Sequence, residues 1–125
     1  MAMLNAVRRA YSHYFTLKGR ATRSEYWWFW LYQSLCYIAI AATCIAISVA
    51  LQDNEGLSFI LIGIFGTFHI IPSITILVRR LHDSSKSGWW TWLLLLSGPG
   101  TLLLFIFTLL PSEGDNKYGA HPLSD

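Results

Sequence analysis

Charged residues are scarce in this chain: 13% of its 125 residues are Asp, Glu, Lys or Arg, against about a quarter in soluble domains. Three stretches, 27–51, 57–78 and 89–110, contain none. So little polar surface cannot cover a water-facing exterior, which excludes an ordinary soluble domain, and no nucleic-acid partner is implied. Cysteine is nearly absent too. Cys36 and Cys44 both lie inside the first apolar stretch. On a helix they stand about 12 Å apart along the axis, too far for a disulfide, and with Leu35 and Thr43 before them neither sits in a lipoprotein context. They read as small packing residues. These cysteines and the scattered histidines do not assemble a metal-ligand set. There is no HExxH, nucleophile elbow or phosphate-cradling glycine loop, and no cofactor is implied. No cleaved leader is expected, because the first apolar run begins only after residue 26 and, at about 25 residues, is too long for a signal h-region.

What is present is 54% apolar residues, gathered in three blocks. Runs of roughly 20 such residues, rising about 1.5 Å each, cross a hydrocarbon core of about 30 Å. The sequence therefore predicts an all-α integral membrane protein with three transmembrane helices: span 1 over 24–51, span 2 over 57–78 and span 3 over 89–110. A soluble bundle of this length could not bury three helices that are apolar all round. Ahead of them, Met3, Leu4, Val7, Ala10, Tyr11, Tyr14 and Phe15 recur at helical spacing opposite Asn5, Arg8, Arg9, Ser12, His13 and Thr16. This is the pattern of an amphipathic interfacial helix over 3–17, and Gly19 suits its end.

Charge supplies orientation. Eight of the nine basic residues precede span 1 or fall in the 79–88 loop; only Lys117 does not. With Glu25 and Asp83 included, that side carries +6, while Lys117 with Asp53, Glu55, Glu113, Asp115 and Asp125 leaves −4 on the other. The positive-inside rule then places the amino terminus and the basic loop in the cytoplasm and the 111–125 tail outside. The six tryptophans repeat the asymmetry, as Trp27, Trp28 and Trp30 at the entrance of span 1 and Trp89, Trp90 and Trp92 at that of span 3. Indole favours the headgroup zone, where the ring stays apolar while its N–H finds a partner, so all six read as interface anchors.

Several polar residues suit a structural role before a chemical one. "TRSE" (22–25) fits a capping box, in which the Thr22 hydroxyl accepts from the Glu25 N–H and the Glu25 carboxylate reaches back. Glu25 and Asp83 are also the expected ion-pair partners of Arg79 or Arg80. In span 2, Gly66, His69, Ser73 and Arg80 share a helical face, and Pro72 removes a donor and frees the carbonyl of Phe68. An ionisable group in hydrocarbon turns toward protein, so His69 is expected to hydrogen-bond a neighbouring span, with Ser73 the second intramembrane polar residue. "SGPG" (97–100) interrupts span 3 near its middle. It permits either a kinked crossing helix or two half-spans of about 14 Å forming a re-entrant hairpin. The kink is expected, since irregular backbone facing lipid is costly and the acidic tail fits the outer face.

Three stretches, "YFTLKGRATRSEYWWF" (14–29), "RRLHDSSKSGWW" (79–90) and "PSEGDNKYGAHP" (111–122), resemble in order and spacing the signature blocks of the domain-of-unknown-function family 805, small bacterial inner-membrane proteins of the YhaH-like group. Ser85 stands where glycine is more usual in that family. The resemblance implies a multi-pass protein of the bacterial inner (cytoplasmic) membrane, hence a periplasmic tail. It carries over no activity, substrate or catalytic residue.

Function is then read from side chains. Arg20, Arg23, Arg79, Arg80, His82 and Lys86 are expected to gather at the cytoplasmic headgroups, walled by tryptophan, and to bind anionic lipid or a partner, because a planar guanidinium donates two parallel bonds to phosphate. The competing reading is that these charges only set topology. Two alternatives are an oligomeric transporter with Gly66, His69, Ser73 and the SGPG break along its pathway, and an interfacial enzyme using His82, Asp83 and Glu25 as acid–base groups. The preferred reading is a binding or scaffold component of the cell envelope rather than an enzyme. Its partners would be anionic lipids, a second copy of the chain or another membrane protein.

Overall fold

The computed structural model describes residues 2–52 and 56–122; Asp53, Glu55 and Asp125, counted above toward an acidic face, lie outside them. The described residues form α1 (Ala2–Ser12), α2 (Arg23–Leu51), α3 (Gly56–Asp83), a 3₁₀ segment (Gly88–Leu96) and α4 (Pro99–Leu109). Local chemistry sets the ends of α2. The Thr22 hydroxyl accepts from the Glu25 N–H at 3.1 Å, and at the far end Gln52 turns left-handed with φ 50 and returns its N–H to Ser48. At 29 and 28 residues, α2 and α3 are each about 42 Å long, some two turns more than a hydrocarbon core of about 30 Å requires.

The surplus length divides the molecule in two. Over its most apolar 18 residues α2 is only 6% buried, and Ile38, Ile45, Val49, Phe59 and Ile64 all stand exposed. The core helix of a soluble protein would hide such residues, so this antiparallel pair is a stalk for lipid. It is pinned by a Tyr37–Phe65 edge contact at 4.8 Å and by the Ser73 hydroxyl donating to Gln33 Oε1 at 3.0 Å. At Gly66 a β-carbon would come within 3.3 Å of the Tyr37 hydroxyl oxygen, so glycine permits the close approach. From Thr75 onward α3 changes character. Residues Thr75 through Leu81, and Asp83 and Ser84, are buried, enclosed by α1, the start of α2, the 3₁₀ segment, α4 and the described residues that follow it.

α1 docks into this head through Ala6 and Ala10, which are buried; Ala10 packs with Ala21, Phe29 and Ile76. Two tyrosines extend the contact onto α3. Pro72 cannot donate to the carbonyl of Phe68, and the Tyr14 hydroxyl donates to that oxygen in its place. At the next residue, His69 Nδ1 lies 2.8 Å from the Phe65 carbonyl, which can only accept. The ring proton therefore sits on Nδ1, and Nε2 accepts from the Tyr11 hydroxyl at 2.6 Å. Burial, reinforced by Tyr32, pushes the Tyr11 hydroxyl above its ordinary range, so it remains a donor. His69 thus bonds α1 rather than a neighbouring span.

Residues 89–110 do not form one continuous helix. The 3₁₀ segment covers about 18 Å and α4 about 16 Å, each roughly half a hydrocarbon core. Between them Ser97 (φ 24) and Gly98 (φ 38) take left-handed backbone, which reverses the chain where a kink would have continued it. Gly100 completes the turn, since a β-carbon there would stand 2.1 Å from the Leu93 carbonyl oxygen. The hairpin returns α4 to the end of α3, where Leu104 packs with Leu77 and Leu81. Among the described residues two helices, α2 and α3, are long and apolar enough to span. The 111–122 tail is correspondingly not on the face opposite the 79–88 loop but folded against it: the Glu113 N–H donates to the Asp83 carbonyl at 3.0 Å.

Two measurements check this fold. With Cys36 and Cys44 replaced by alanine, single cysteines at Lys18 and Lys117 should react with a membrane-impermeant thiol reagent from the same side, and one at Gln52 from the other; Lys117 grouping with Gln52 would restore the crossing helix. Tyr14→Phe should cost about 1 kcal/mol, the usual worth of a hydrogen bond. In a Pro72→Ala background, where an amide can serve Phe68, most of that cost should vanish in thermal melts.

Candidate functional site

The polar residues singled out by the sequence converge on the head, but into its interior. Arg20 precedes α2 by a short turn, and Arg79, Arg80 and Asp83 occupy the last turn and a half of α3. The guanidinium of Arg20 has five N–H donors, and each finds an acceptor. Nε donates to Asp83 Oδ1 at 2.9 Å, one terminal nitrogen to the carbonyls of Gly114 and Gly119 at 2.8 and 3.1 Å, and the other to those of Asp83, at 3.2 Å, and Glu113. Arg80 donates to Asp83 Oδ2, to the Ala21 carbonyl at 3.2 Å and to the carbonyls of Thr108, at 3.1 Å, and Leu110. Ser112 adds a third donor to the Asp83 carboxylate. The side chains of Arg20 and Asp83 are 3% and 0% exposed, and that of Arg80 is 0% exposed.

A second pair stands beside the first. Arg79 donates to Glu25 Oε1 at 3.2 Å and to the Arg20 carbonyl at 3.1 Å, and Arg9 reaches Glu25 Oε2 at 3.7 Å from α1. Arg79 Nε has no hydrogen-bond partner among the described residues. The pairing expected of Arg79 and Arg80 with Glu25 and Asp83 is therefore present twice over. The Glu25 carboxylate serves these arginines, while the capping bond at Thr22 comes from its backbone.

Three of the six residues expected to face headgroups are thus committed elsewhere: the side chains of Arg20, Arg79 and Arg80 are buried and hydrogen-bond inside the protein, Arg79 Nε excepted. The remaining three lie nearer the surface. His82 Nδ1 donates to the Gly19 carbonyl at 3.3 Å, and its ring stacks on Tyr118 at 3.8 Å and 5°. Lys86 sits 5.4 Å from the centroid of the Phe107 ring. Arg23 lines an open depression with Ser24, Trp27, Trp28 and Leu31. The acid–base set of His82, Asp83 and Glu25 does not form, because both carboxylates are held by arginines and His82 stacks on the tail instead. His69 and Ser73, placed along a transport pathway by the alternative reading, are engaged in bonds between helices.

The indoles are exposed at Trp28, Trp30, Trp89, Trp90 and Trp92 and partly covered at Trp27, whose ring meets Phe105 of the hairpin at 5.7 Å. Among the described residues no three His, Cys, Asp or Glu side chains are grouped to hold a metal. Sequence reasoning missed the tail's share in the site. Asn116 Nδ2 donates to the His82 carbonyl and to Ser85 Oγ, both at 3.0 Å. Ser85 itself takes φ 55, the left-handed geometry that favours glycine, and Asn116 holds it there. A cluster of turn-forming residues at 114–119 was the available signal, but it gave no direction.

Removing one partner of a buried ion pair costs about 3–5 kcal/mol because the other charge stays buried and alone. Asp83→Ala strands two arginines and should lower the melting temperature most. Glu25→Gln should follow, since the cation of Arg9 is largely exposed, and Lys86→Gln should have little effect. Equal, small shifts for all three in detergent melts would contradict the buried cluster.

Residues 14–120 match the family described as "Protein of unknown function (DUF805)". The chain is 31% identical over 111 residues to inner membrane protein YhaH of Escherichia coli K12, covering 88% of this chain and 89% of that one. To inner membrane protein YhaI of the same strain it is 30% identical over 111 residues, 88% of each. No solved structure matches. With a match across both spans, the hairpin and the folded-back tail, the chain belongs to the DUF805 family and is an inner-membrane protein.

Proposed function

We propose that this protein is a binding component of the inner membrane, rather than an enzyme, whose head lies in the cytoplasmic headgroup layer and engages anionic lipid. The reading is supported by where positive charge ends up. With the tail folded back, Lys117 joins the other basic residues, so all nine Lys and Arg belong to the head end of the stalk, the side that the positive-inside rule assigns to the cytoplasm. The buried arginines fasten the head together and are unavailable to ligands, which leaves the outer shell to do the binding.

The observation that carries the proposal is the depression of about 440 Å³ formed by Arg23, Ser24, Trp27, Trp28 and Leu31. A guanidinium and a hydroxyl at its rim suit phosphate oxygens, while indole and leucine suit the glycerol and upper acyl region below. Lys86, on the hairpin side of the head, adds a second cation at the same end of α3. Chemistry within the head has no free acid or base in the ion-pair core to draw on, which favours binding over turnover.

Each cation near an anionic surface contributes about 1 kcal/mol, roughly fivefold in local lipid enrichment. In nanodiscs of mixed phosphatidylglycerol and phosphatidylethanolamine, native mass spectrometry of the ejected protein should show phosphatidylglycerol enriched. Arg23→Gln with Lys86→Gln should reduce that enrichment several-fold in a protein that still melts cooperatively. Undiminished enrichment in the double variant overturns the reading.

A further inference from the structure

The hairpin does not lie flush against α3. Leu104 of α4 packs onto Leu77 and Leu81, and on the other flank the 3₁₀ segment touches α3 but leaves a groove of about 630 Å³ beside the contact, within the roughly 300–1,000 Å³ of ligand sites. Ile74, Val78, Leu94 and Leu95 form its apolar length; His82, Ser87 and Tyr118 stand at one end. The two walls meet closely at Gly88, where a β-carbon would come 2.9 Å from Val78 Cγ1. Thr91 lies in the wall, and its hydroxyl is closed off with no hydrogen-bond partner among the described residues.

These features select the occupant. Ile74, Leu94 and Leu95 are exposed on the same surface as the lipid-facing stalk, so the groove is a side channel of the bilayer, not of water. Its polarity changes along its length as that of an amphiphile does, from hydrocarbon walls to hydroxyl and imidazole groups. At the polar end His82 Nδ1 is used by Gly19, which leaves Nε2 toward Gly88, and the Lys117 ammonium stands 5.0 Å from the Tyr118 ring centroid, complementary to a phosphate.

We propose that this groove holds one acyl chain of a membrane phospholipid, with the chain along Ile74, Val78, Leu94 and Leu95, an ester oxygen accepting from the Ser87 hydroxyl, and the phosphate beside His82, Tyr118 and Lys117. The proposal rests on the preceding reading only in taking bilayer lipid as the ligand; the residues are different, and the site is a seat for a single molecule rather than a charged surface.

The test uses the full-length protein in nanodiscs containing a phosphatidylglycerol that bears a diazirine in its acyl chain, with labelled residues located by peptide mass spectrometry. Labelling should concentrate on Val78 and Leu94 over stalk positions such as Ile62 and Ile64. Ile74→Trp with Leu95→Trp fills the groove from its rim, where both side chains are exposed, and should cut labelling of Val78 and Leu94 about tenfold with stalk labelling unchanged. Leu17→Trp, on the opposite rim and outside both α3 and the hairpin, should act in the same direction and stands in should the double variant melt early. Labelling spread evenly over groove and stalk, or insensitive to both fillings, overturns the proposal. Arg23→Gln with Lys86→Gln should leave groove labelling intact, so failure of the headgroup reading and failure of this one are told apart.

Discussion

The carboxylate of Asp83 is the constraint on which the head depends. It lies at the last residue of α3, wholly buried, and accepts from Arg20, Arg80 and Ser112. An ionised group in such a place is tolerable only when paired and fully hydrogen-bonded. Each partner brings a different part of the chain: the turn before α2, the end of α3 and the segment after α4. Once the cluster closes, these three parts have no freedom to separate without exposing an unpaired charge to a low-dielectric interior. The ion pairs add more to uniqueness of arrangement than to net stability. They decide that the tail folds back.

This explains why three separated stretches carry the family resemblance. Residues 14–29, 79–90 and 111–122 are far apart in sequence, yet they meet around Arg20, Asp83 and Gly114, and again where Tyr118 stacks on His82. The apolar stalk between them faces lipid, where many residues of similar hydropathy serve equally well. The head tolerates no such exchange, because a guanidinium with five acceptors set around it cannot become an ammonium without orphaning carbonyls. At Gly100 the backbone of the facing segment leaves no room for a side chain, and at Gly66 and Gly88 the side chains of Tyr37 and Val78 occupy that space.

The two spans, the Thr22 cap, the orphaned carbonyl of Phe68 and the pairing of α3 arginines with Glu25 and Asp83 were legible in the sequence because each follows from local spacing or from charge. The hairpin was not. A run of 22 apolar residues fits a crossing helix by length, and only the left-handed backbone at Ser97 and Gly98 distinguishes reversal from a bend. Tail placement was misread for a related reason. Net acidity suggested the outer face, whereas the tail is held mainly through the carbonyls of Leu110, Glu113, Gly114 and Gly119, and main-chain oxygens leave no trace in composition. Whether an arginine is spent on such oxygens or offered to a lipid depends on its surroundings in three dimensions.

The path of Arg20 also imposes an order on biogenesis. Its acceptors at Gly114 and Gly119 are 94 and 99 positions downstream, so they emerge from the ribosome only when both long helices have already been threaded into the bilayer. Until then Arg20 and Arg80 hold water or headgroups as provisional partners, and the nascent head stays open. Closure therefore follows synthesis of the stalk, and a chain interrupted before Gly114 would leave Arg20 without these carbonyl acceptors.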